Sequence, residues 1–327
     1  MSDPLGHSEN ASDGAPAEER PQRAAWPGNA EDTDDLAPRH DVPLDGRSGF
    51  VVVEERQVHY LEWGSSVAPP VLCLHGGGQT AYMFEELGSA LRATHHALAP
   101  DLPNHGDSDP LGDDLWGREH LAATIPPLLD EFGLQRVVLV GASLGGLTSI
   151  SFAAQHPARL VGIVLIDIGH RLEDEGVQKI MDFMRAHESF GSLEEAADFI
   201  SGYLPYRKSF RPENLKRNLR QRADGRWIWK HGMGRRWQRQ HETTGSELDW
   251  KSIMNGVADD VAGIDVPVLL LRGGASDVLS GDAAQELMGI LRHGRLETVE
   301  KAGHLAAGDN PHSTVSLVKG FLAELGW

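Results

Sequence analysis

A five-residue turn, Gly141-Ala142-Ser143-Leu144-Gly145, constrains the fold of this chain more than any other feature. An apolar, β-branched run at 136–140 precedes the turn and predicts a buried strand, whereas 147–154 follows it and predicts a helix packed on that strand. So sharp a crossing needs glycines, because a Cβ atom there would make the strand and the helix collide. The pattern therefore predicts that Ser143 projects from the sheet edge with the N–H of Leu144 beside it. A plain glycine turn that holds an ordinary serine is the alternative interpretation. Other motifs in the sequence distinguish between the two.

A second glycine-rich turn, His75-Gly76-Gly77-Gly78, follows the apolar run 71–74. A turn of this kind after an early strand can supply a backbone N–H that stabilises an oxyanion. Gly77 is the first choice for that donor, and Gly78 is the next. We predict that His75 holds the loop through hydrogen bonds and takes no part in the chemistry. A plain loop between a strand and a helix is the alternative interpretation.

Two further polar residues follow predicted strands near the C-terminal end of the sequence. Asp277 comes after the apolar run 266–271, and His304 comes after the predicted strand 295–299. Ser143, Asp277 and His304 then appear in the chain order Ser…Asp…His that one arrangement of catalytic triads uses. Loops that follow parallel strands open at the same edge of the sheet, where these side chains can meet. Asp167, at the end of another predicted strand, is the alternative acid, although its position favours it less than Asp277.

These motifs together resemble the α/β-hydrolase superfamily, in its cap-bearing branch of esterases, lactonases, haloperoxidase-like enzymes and C–C bond hydrolases. The resemblance covers about residues 48 to 325, and it also includes the loop 101–108. That loop usually reads D-x-x-G-x-G-x-S, and Asn104 stands here in place of its first glycine. The resemblance implies an α/β fold with a mostly parallel, eight-stranded sheet flanked by helices, and an inserted helical cap.

The sequence divides into a tail, a core and an insertion. Residues 1–45 are rich in Ala, Pro, Gly and acidic residues and predict a disordered acidic tail. Strand and helix patterns alternate in 46–169 and 255–327, which predicts the α/β core. A β-hairpin is predicted at the start of this core. In 170–254 the strand patterns stop and amphipathic stretches follow, so this segment is predicted to form the cap. The predicted cap helices are Glu173–Phe190, Leu193–Tyr203 and Glu213–Ala223.

The predicted cap is rich in basic residues and tryptophan. Twelve of the thirty Lys and Arg residues lie between Arg207 and Arg239, and four of the eight tryptophans are Trp227, Trp229, Trp237 and Trp250. A basic surface with tryptophans packed on the core is the simpler interpretation. A lid with an aromatic wall over an apolar substrate is the functional one, and it makes Gly78, Trp227 and Trp229 candidate substrate-binding residues.

Composition excludes several classes of function. A net charge of −18 disfavours nucleic acid as a partner. No apolar run is long enough to cross a bilayer, and no secretory signal pattern is visible, so we expect a cytoplasmic protein without a membrane partner. The lone cysteine, Cys73, excludes an internal disulfide and is expected in the core. We expect no metal and no cofactor, because the sequence has no convincing H-x-x-x-H pair, dinucleotide-binding motif or P-loop.

The resemblance implies a cofactor-free serine hydrolase that acts on a small hydrophobic ester or lactone. Ser143 would be the nucleophile, His304 the base, Asp277 the acid, and Gly77 and Leu144 the oxyanion-hole donors. A C–C bond hydrolase of ring-cleavage products and a perhydrolase stay open on the same triad. A non-catalytic ligand receptor on this scaffold is less favoured, because all the triad positions are filled. A homodimer is also left open.

Overall fold

An eight-stranded sheet lies at the centre of the protein in a computed structural model that describes residues 42–112, 117–204, 206, 211–232 and 250–327. The strands are β1 (Arg47–Val53), β2 (Arg56–Trp63), β3 (Pro70–Leu74), β4 (His96–Pro100), β5 (Val137–Ala142), β6 (Leu160–Ile166), β7 (Ser189–Phe190), β8 (Leu219–Gln221), β9 (Trp227–Trp229), β10 (Val268–Gly273) and β11 (Gly294–Val299). Eight of them form the central sheet in the order β1-β2-β4-β3-β5-β6-β10-β11. Strand β2 pairs antiparallel with β1 and with β4, and all other neighbouring strands of this sheet are parallel.

Helices cover both faces of this sheet. The α-helices in the described residues are α1 (Glu85–Leu91), α2 (Arg118–Ala122), α3 (Ile125–Glu131), α4 (Leu144–Gln155), α5 (Asp174–Ala186), α6 (Leu193–Tyr203), α7 (Trp250–Ile253), α8 (Val257–Ala262), α9 (Gly281–Ile290), α10 (Ala306–Asp309) and α11 (Pro311–Glu324). On one face α2, α3, α4, α8 and α9 pack against alternate strand residues such as Leu72 and Leu139. On the other face α1, α10 and α11 pack against the intervening strand residues, such as Cys73 and Val138. Both sides of the inner strands β3, β4, β5, β6 and β10 are therefore buried, which explains their mostly apolar runs, whereas the edge strand β11 is partly exposed.

The structure confirms several predictions about the core. The α/β fold with eight strands is present, and β1 and β2 form the predicted hairpin. Cys73 is a buried free thiol in β3. Nearly all of the predicted tail lies outside the described residues.

The segment 170–254, predicted to form the cap, is less helical in its described part than the sequence predicts. Helix α6 has the predicted bounds, and α5 covers most of the first predicted segment. The third predicted helix, Glu213–Ala223, is wrong: a 3-10 helix, Pro212–Arg217, is followed by β8. Strands β7, β9 and β8 form a small antiparallel sheet there. The reason is a tight turn with Gly225 at φ 83°, which reverses the chain so that the Trp-Ile-Trp strand β9 pairs with β8.

No helix in the described ranges combines the length and the apolar character that a membrane crossing requires.

A buried ion-pair cluster joins β1, β2 and β4. The carboxylate of Glu62, only 2% exposed, accepts hydrogen bonds from Arg47 Nε at 2.8 Å and from His96 Nε2 at 2.6 Å. Burial alone would raise the pKa of Glu62, but the hydrogen bonds from His96 and Arg47 lower it to about 2. The ionised carboxylate therefore stabilises the fold above its ordinary pKa of 4.5, and that contribution is lost as the pH falls towards about 2.

Replacing Glu62 with Gln is expected to lower the free energy of unfolding by about 3 kcal/mol, because the buried His96 and the half-exposed Arg47 both lose their charged acceptor. Urea denaturation at pH 7 measures the change. Asp130→Asn is the matched control, since Asp130 pairs with Arg159 at the surface and is 65% exposed. Its cost should stay below about 1 kcal/mol. Equal losses in the two variants would contradict a structural role for the Glu62 cluster. When the pH falls below 4.5, the free energy of unfolding should also decrease less in Glu62→Gln than in the parent protein.

Candidate active site

Ser143 lies on the predicted sharp turn between β5 and α4. Its φ and ψ are 48° and −115°, and its N–H donates to Ile166 O at 3.1 Å. A side chain with a Cβ atom is strained at this φ, which is typical of a functional position. The neighbouring glycines are required by close approach: a Cβ atom on Gly141 would lie 2.5 Å from Gly145 O, and one on Gly145 would lie 2.0 Å from Leu74 O. The local sequence thus forces the serine out of the sheet.

His304 is paired with a buried carboxylate. Its Nδ1 lies 2.8 Å from Asp167 Oδ2, and Asp167 is completely buried at the end of β6. With a proton on Nδ1, this contact is a hydrogen bond that the ring donates to a carboxylate oxygen. The lone pair then lies on Nε2, which is the tautomer that a general base needs.

Three groups hold Asp167 in place. Its Oδ1 accepts a hydrogen bond from Gly273 N at 2.8 Å, and its Oδ2 accepts one from Ser276 Oγ at 2.5 Å as well as the one from His304. The residue has a φ of 50°, outside the strand region, and its own N–H donates to Leu271 O at 2.7 Å. These hydrogen bonds satisfy both carboxylate oxygens and fix the orientation of the side chain.

Ser143 and His304 line the same cavity, called here the inner cavity, which has a volume of about 190 Å³. Its walls are mostly apolar and come in large part from α5. The residues of α5 that line it are Val177, Ile180, Met181, Phe183 and Met184. A mostly apolar cavity that a serine and a histidine both line has the character of a small-molecule site.

The glycine-rich turn after β3 forms another wall of the inner cavity, and Gly77 and Leu144 both line it beside Ser143. His75 holds this turn as predicted, since its Nδ1 lies 2.8 Å from Gly76 O and its Nε2 accepts from Leu102 N at 2.9 Å. Burial lowers the pKa of His75, which keeps the ring neutral and leaves Nε2 able to accept. The backbone N–H of Gly76 already donates to Gln79 Oε1.

The sequence profile of the alpha/beta hydrolase fold family matches residues 69–311, most of the chain. The chain belongs to the α/β-hydrolase fold family. One relative of this α/β hydrolase is Esterase Rv0045c of Mycobacterium tuberculosis, which is 31% identical over 279 residues, 83% of this chain and 88% of that esterase. A crystal structure of that esterase superposes with a TM-score of 0.67 at 29% identity, covering 86% of this chain and 92% of the other.

Two further relatives lie in the same family. The crystal structure of an α/β hydrolase from Novosphingobium aromaticivorans has a TM-score of 0.71 at 26% identity and covers 86% of this chain and 99% of that one. The 2-hydroxy-6-oxo-6-phenylhexa-2,4-dienoate hydrolase of Comamonas testosteroni is 33% identical over 131 residues, 37% of this chain and 45% of that enzyme. These similarities establish a hydrolase scaffold but leave the bond that is cleaved to the site itself.

The geometry of this α/β hydrolase corrects the choice of Asp277 as the partner of His304. Asp277 is 53% exposed, and its Oδ2 lies 3.2 Å from Lys179 Nζ at the surface. The alternative acid, Asp167, holds the place beside His304 instead. Both acids follow neighbouring strands, β6 and β10, but only Asp167 lies directly at the strand end, where its side chain reaches the histidine.

The candidate substrate-binding residues divide into two groups. Gly78 and Trp229 line the inner cavity, whereas Trp227 does not. Trp227 pairs with Phe190 and Gln221 in the small sheet and packs on a separate apolar cluster that includes Phe190 and Trp229. It lies two residues before Trp229 on β9, a strand distance of about 6–7 Å, and this spacing keeps its ring away from the cavity. Trp250 also lines the cavity, and Trp237 lies outside the described residues.

The loop after β4 accommodates its unusual asparagine. Asn104 has a φ of 66°, in the left-handed region that asparagine tolerates better than most residues. Within the same loop, His105 is fully buried, and burial together with the neighbouring His75 and His231 lowers its pKa to about 3. The loop therefore keeps its turn without the usual glycine, and His105 is neutral near pH 7.

One group among the described residues, His59, Asp101 and Asp107, brings three metal-ligating atoms within 4.8 Å of one another. Hydrogen bonds account for these atoms. Asp101 accepts from Ala81 N at 2.7 Å and contacts His59 Nδ1 at 2.6 Å, and Asp107 pairs with Lys230 Nζ at 2.6 Å. Although burial alone would raise the pKa of Asp101, the hydrogen bond from His59 keeps it below the ordinary value. The group fastens the loop after β4 to the core.

Sequence reasoning did not identify several residues of the inner cavity. These are chiefly the α5 side chains, together with Gln79, Tyr203 and His231. The α5 pattern indicated an amphipathic helix, but an apolar helix face that lines a cavity has the same sequence pattern as one that packs on the core. His231 stacks on Trp229 with ring centroids 5.3 Å apart, a contact between residues two apart on one side of a strand end.

Proposed function

We propose that this protein is a cofactor-free serine hydrolase that cleaves a carboxylic ester or lactone through an acyl-enzyme on Ser143. The observation that carries the proposal is the contact of Asp167 with Nδ1 of His304, a histidine that lines the inner cavity together with Ser143. A serine hydroxyl is a weak nucleophile near pH 7, so a base held in one tautomer is the requirement for this chemistry.

In the proposed reaction, His304 Nε2 takes the proton of Ser143 as the hydroxyl oxygen attacks the carbonyl carbon. Asp167 stabilises the imidazolium that forms and keeps Nδ1 protonated. The imidazolium then gives its proton to the leaving oxygen, and the C–O bond of the ester breaks. A water molecule, activated by the same histidine, attacks the acyl-enzyme and releases the acid.

Backbone donors would stabilise the oxyanion. The N–H groups of Leu144 and Gly77 belong to residues that border Ser143 in the inner cavity. A donor of this kind contributes about 3–4 kcal/mol to transition-state stabilisation. Nucleophile, base, acid and donors together supply the bond-making and proton transfers that ester cleavage requires, so the reaction as proposed needs no cofactor.

The inner cavity supports an acyl group of moderate size. An apolar cavity of about 150 Å³ in another protein holds benzene, so about 190 Å³ fits a phenyl ring or a short alkyl chain. Similarity to Esterase Rv0045c supports an ester as the substrate. We therefore propose small hydrophobic esters or lactones as the substrate class.

A cytoplasmic location is also part of this proposal. Cys73 is the single cysteine of the chain, and burial raises the pKa of its thiol. A protein without disulfides and with one unreactive thiol is typical of a reducing compartment.

The experiment that tests this function is covalent labelling with a fluorophosphonate probe, followed by mass spectrometry of the digested protein. We expect one adduct per chain, on the peptide that contains Ser143, and loss of activity on p-nitrophenyl butyrate in proportion to labelling. Heat-unfolded protein is the control and should not react, because the triad is no longer assembled. Hydrolysis that persists in fully labelled protein, or labelling spread over other serines, would contradict the proposal.

A C–C bond hydrolase is the second candidate, and the similarity to the Comamonas testosteroni enzyme favours it. That reaction would use the same three side chains on a vinylogous diketone. Comparing kcat/KM for p-nitrophenyl butyrate and for a dienoic diketone separates the two. A diketone that is turned over faster than every ester tested would replace the ester assignment.

A further inference from the structure

We propose that the leaving group of the substrate binds in a second, larger cavity that shares His304 with the inner one. This outer groove has a volume of about 760 Å³, and its walls include Phe183, Phe199, Tyr203, Asp182, Ala275 and Asp277. The inference rests on the proposed function and names the part of the substrate that each cavity receives: the acyl group lies in the inner cavity and the alcohol in the outer groove.

The two cavities differ in which parts of the catalytic site they contact. Ser143, Leu144 and the turn with Gly77 line the inner cavity and are not among the residues of the outer groove. His304 lines both cavities. In ester cleavage the acyl carbon becomes bonded to the serine and its oxygen faces the oxyanion donors, whereas the leaving oxygen receives the proton of the histidine. The alcohol must therefore lie on the histidine side, where the outer groove begins.

A pair of aromatic rings separates the cavities. Phe183 and Tyr203 line both of them, and their ring centroids lie 4.1 Å apart in a stacked arrangement. Phe183 also stacks on Phe199, with centroids 5.0 Å apart, and Phe199 lines the outer groove alone. Burial, with a smaller effect of Asp277, raises the pKa of Tyr203 to about 12, so the phenol stays neutral. The partition therefore presents uncharged aromatic surfaces to both parts of the substrate.

The lining of the outer groove indicates the chemistry of the alcohol. Its aromatic rings favour an apolar or aromatic group. The carboxylates of Asp182 and Asp277 lie at the surface of the groove, and Lys179, which also lines it, is paired with Asp277 and Glu175. A leaving group with negative charge would meet this acidic margin, so the groove favours uncharged, bulky alcohols.

Two single variants test the assignment, because each residue borders one cavity only. Phe199 lines the outer groove and Ile180 lines the inner cavity. One substrate series keeps the butyryl group and varies the alcohol from propanol to 3-phenylpropanol and 3-naphthylpropanol, which have similar alcohol pKa values. The other series keeps propanol and varies the acyl chain. Acid release in a pH-stat gives kcat/KM.

Phe199→Ala is expected to lower the preference for 3-phenylpropyl over propyl esters by about tenfold, the effect of a lost apolar contact. The acyl series should stay within about twofold of the parent. Ile180→Ala should give the reverse pattern. Phe199→Leu, which keeps most of the packing in the cap, should give a smaller change in the same direction and shows that the effect does not come from unfolding.

An alcohol series unchanged by Phe199→Ala, or an acyl series changed instead, overturns the assignment while ester hydrolysis itself stands. Absence of turnover on every ester, together with absence of Ser143 labelling, rejects the proposed function and this inference with it. An ester of 3-(4-carboxyphenyl)propanol gives a second readout: we expect its kcat/KM to be about fivefold below that of the uncharged ester, with the difference narrowing in 0.5 M salt. A carboxylated ester that is hydrolysed faster would overturn the charge preference.

Discussion

Ser143→Ala is expected to lower kcat/KM on p-nitrophenyl butyrate by a factor of about 10⁵ or more, with the fold unchanged. Loss of the nucleophile removes the covalent route, and in a comparable triad it costs as much as removing all three members. In the proposed mechanism the remaining rate comes from substrate binding and from the proposed oxyanion donors, the N–H groups of Gly77 and Leu144. Alanine at this position keeps the backbone and the strained φ, so we expect the free energy of unfolding to stay within about 0.5 kcal/mol.

Steady-state kinetics with highly purified protein measure this loss, and circular dichroism with urea denaturation checks the fold. Ser66→Ala is the matched control, because Ser66 is an exposed serine in the turn after β2. It should retain the full rate. A Ser143→Ala protein with more than a tenth of the parent activity would show that the acyl group is never attached to this residue, and the proposed mechanism would be wrong.

The parts of the site that the sequence predicted are those with short-range physical causes. The turn around Ser143 needs glycines at both ends, and the turn at Gly77 follows directly from a strand, so each motif reports its own backbone conformation. His304 follows strand β11, which the residue pattern at 295–299 predicts. These features are present in the structure because nothing distant is required to form them.

The choice of the acid could not be made in the same way. Asp167 and Asp277 follow neighbouring strands, and their distances from His304 depend on loop conformations that no local pattern specifies. A physical signal was nevertheless available: Asp167 directly follows the fully apolar run Gly162–Ile166, and a carboxylate at the end of so buried a strand needs partners. Asp277 carries no such requirement, since Lys179 neutralises it at the surface.

The small sheet of β7, β9 and β8 was also missed. Asp224-Gly225 is a strong hairpin signal, and the tryptophans on either side of Ile228 favour a strand. The amphipathic pattern of the preceding stretch, 213–223, suggested a helix instead. In the structure Trp227 packs on the apolar cluster around Phe190, and Trp229 alone of that pair reaches the inner cavity.

Asp167→Asn is expected to lower kcat by about 10⁴, the loss that the same substitution gives in another serine hydrolase triad. An asparagine can present its amide N–H₂ to His304 Nδ1, which then has to accept, so the ring proton moves to Nε2 and the base is blocked. The other bonds of the side chain favour this orientation, because Gly273 N still needs the Oδ1 acceptor. Asp277→Asn is the matched control and should keep kcat within about threefold.

The kcat of the aryl ester, followed from pH 5 to 9, measures both variants. Asp277→Asn should keep the pH profile of the parent, since it changes a surface pair with Lys179 at the margin of the outer groove and leaves the partner of His304 in place. Asp167→Asn should regain part of its rate at high pH, where hydroxide can take the role of the blocked base. Equal losses in the two variants, or a larger loss in Asp277→Asn, would restore Asp277 as the acid.

A double variant decides whether Asp277 can act as a substitute. If Asp277 stays at the surface with Lys179, adding Asp277→Asn to Asp167→Asn removes nothing more from kcat, and the double variant has the rate of the Asp167 single variant. A loop shift that brings Asp277 to His304 after Asp167 is lost would make the double variant slower, by about tenfold or more, because the two substitutions would then act on one histidine. We expect the first result, since Lys179 and the bond of Glu173 N to Val278 O hold the loop with Asp277 away from the cavity. The comparison therefore separates the acid that the native geometry uses from one that the chain can recruit.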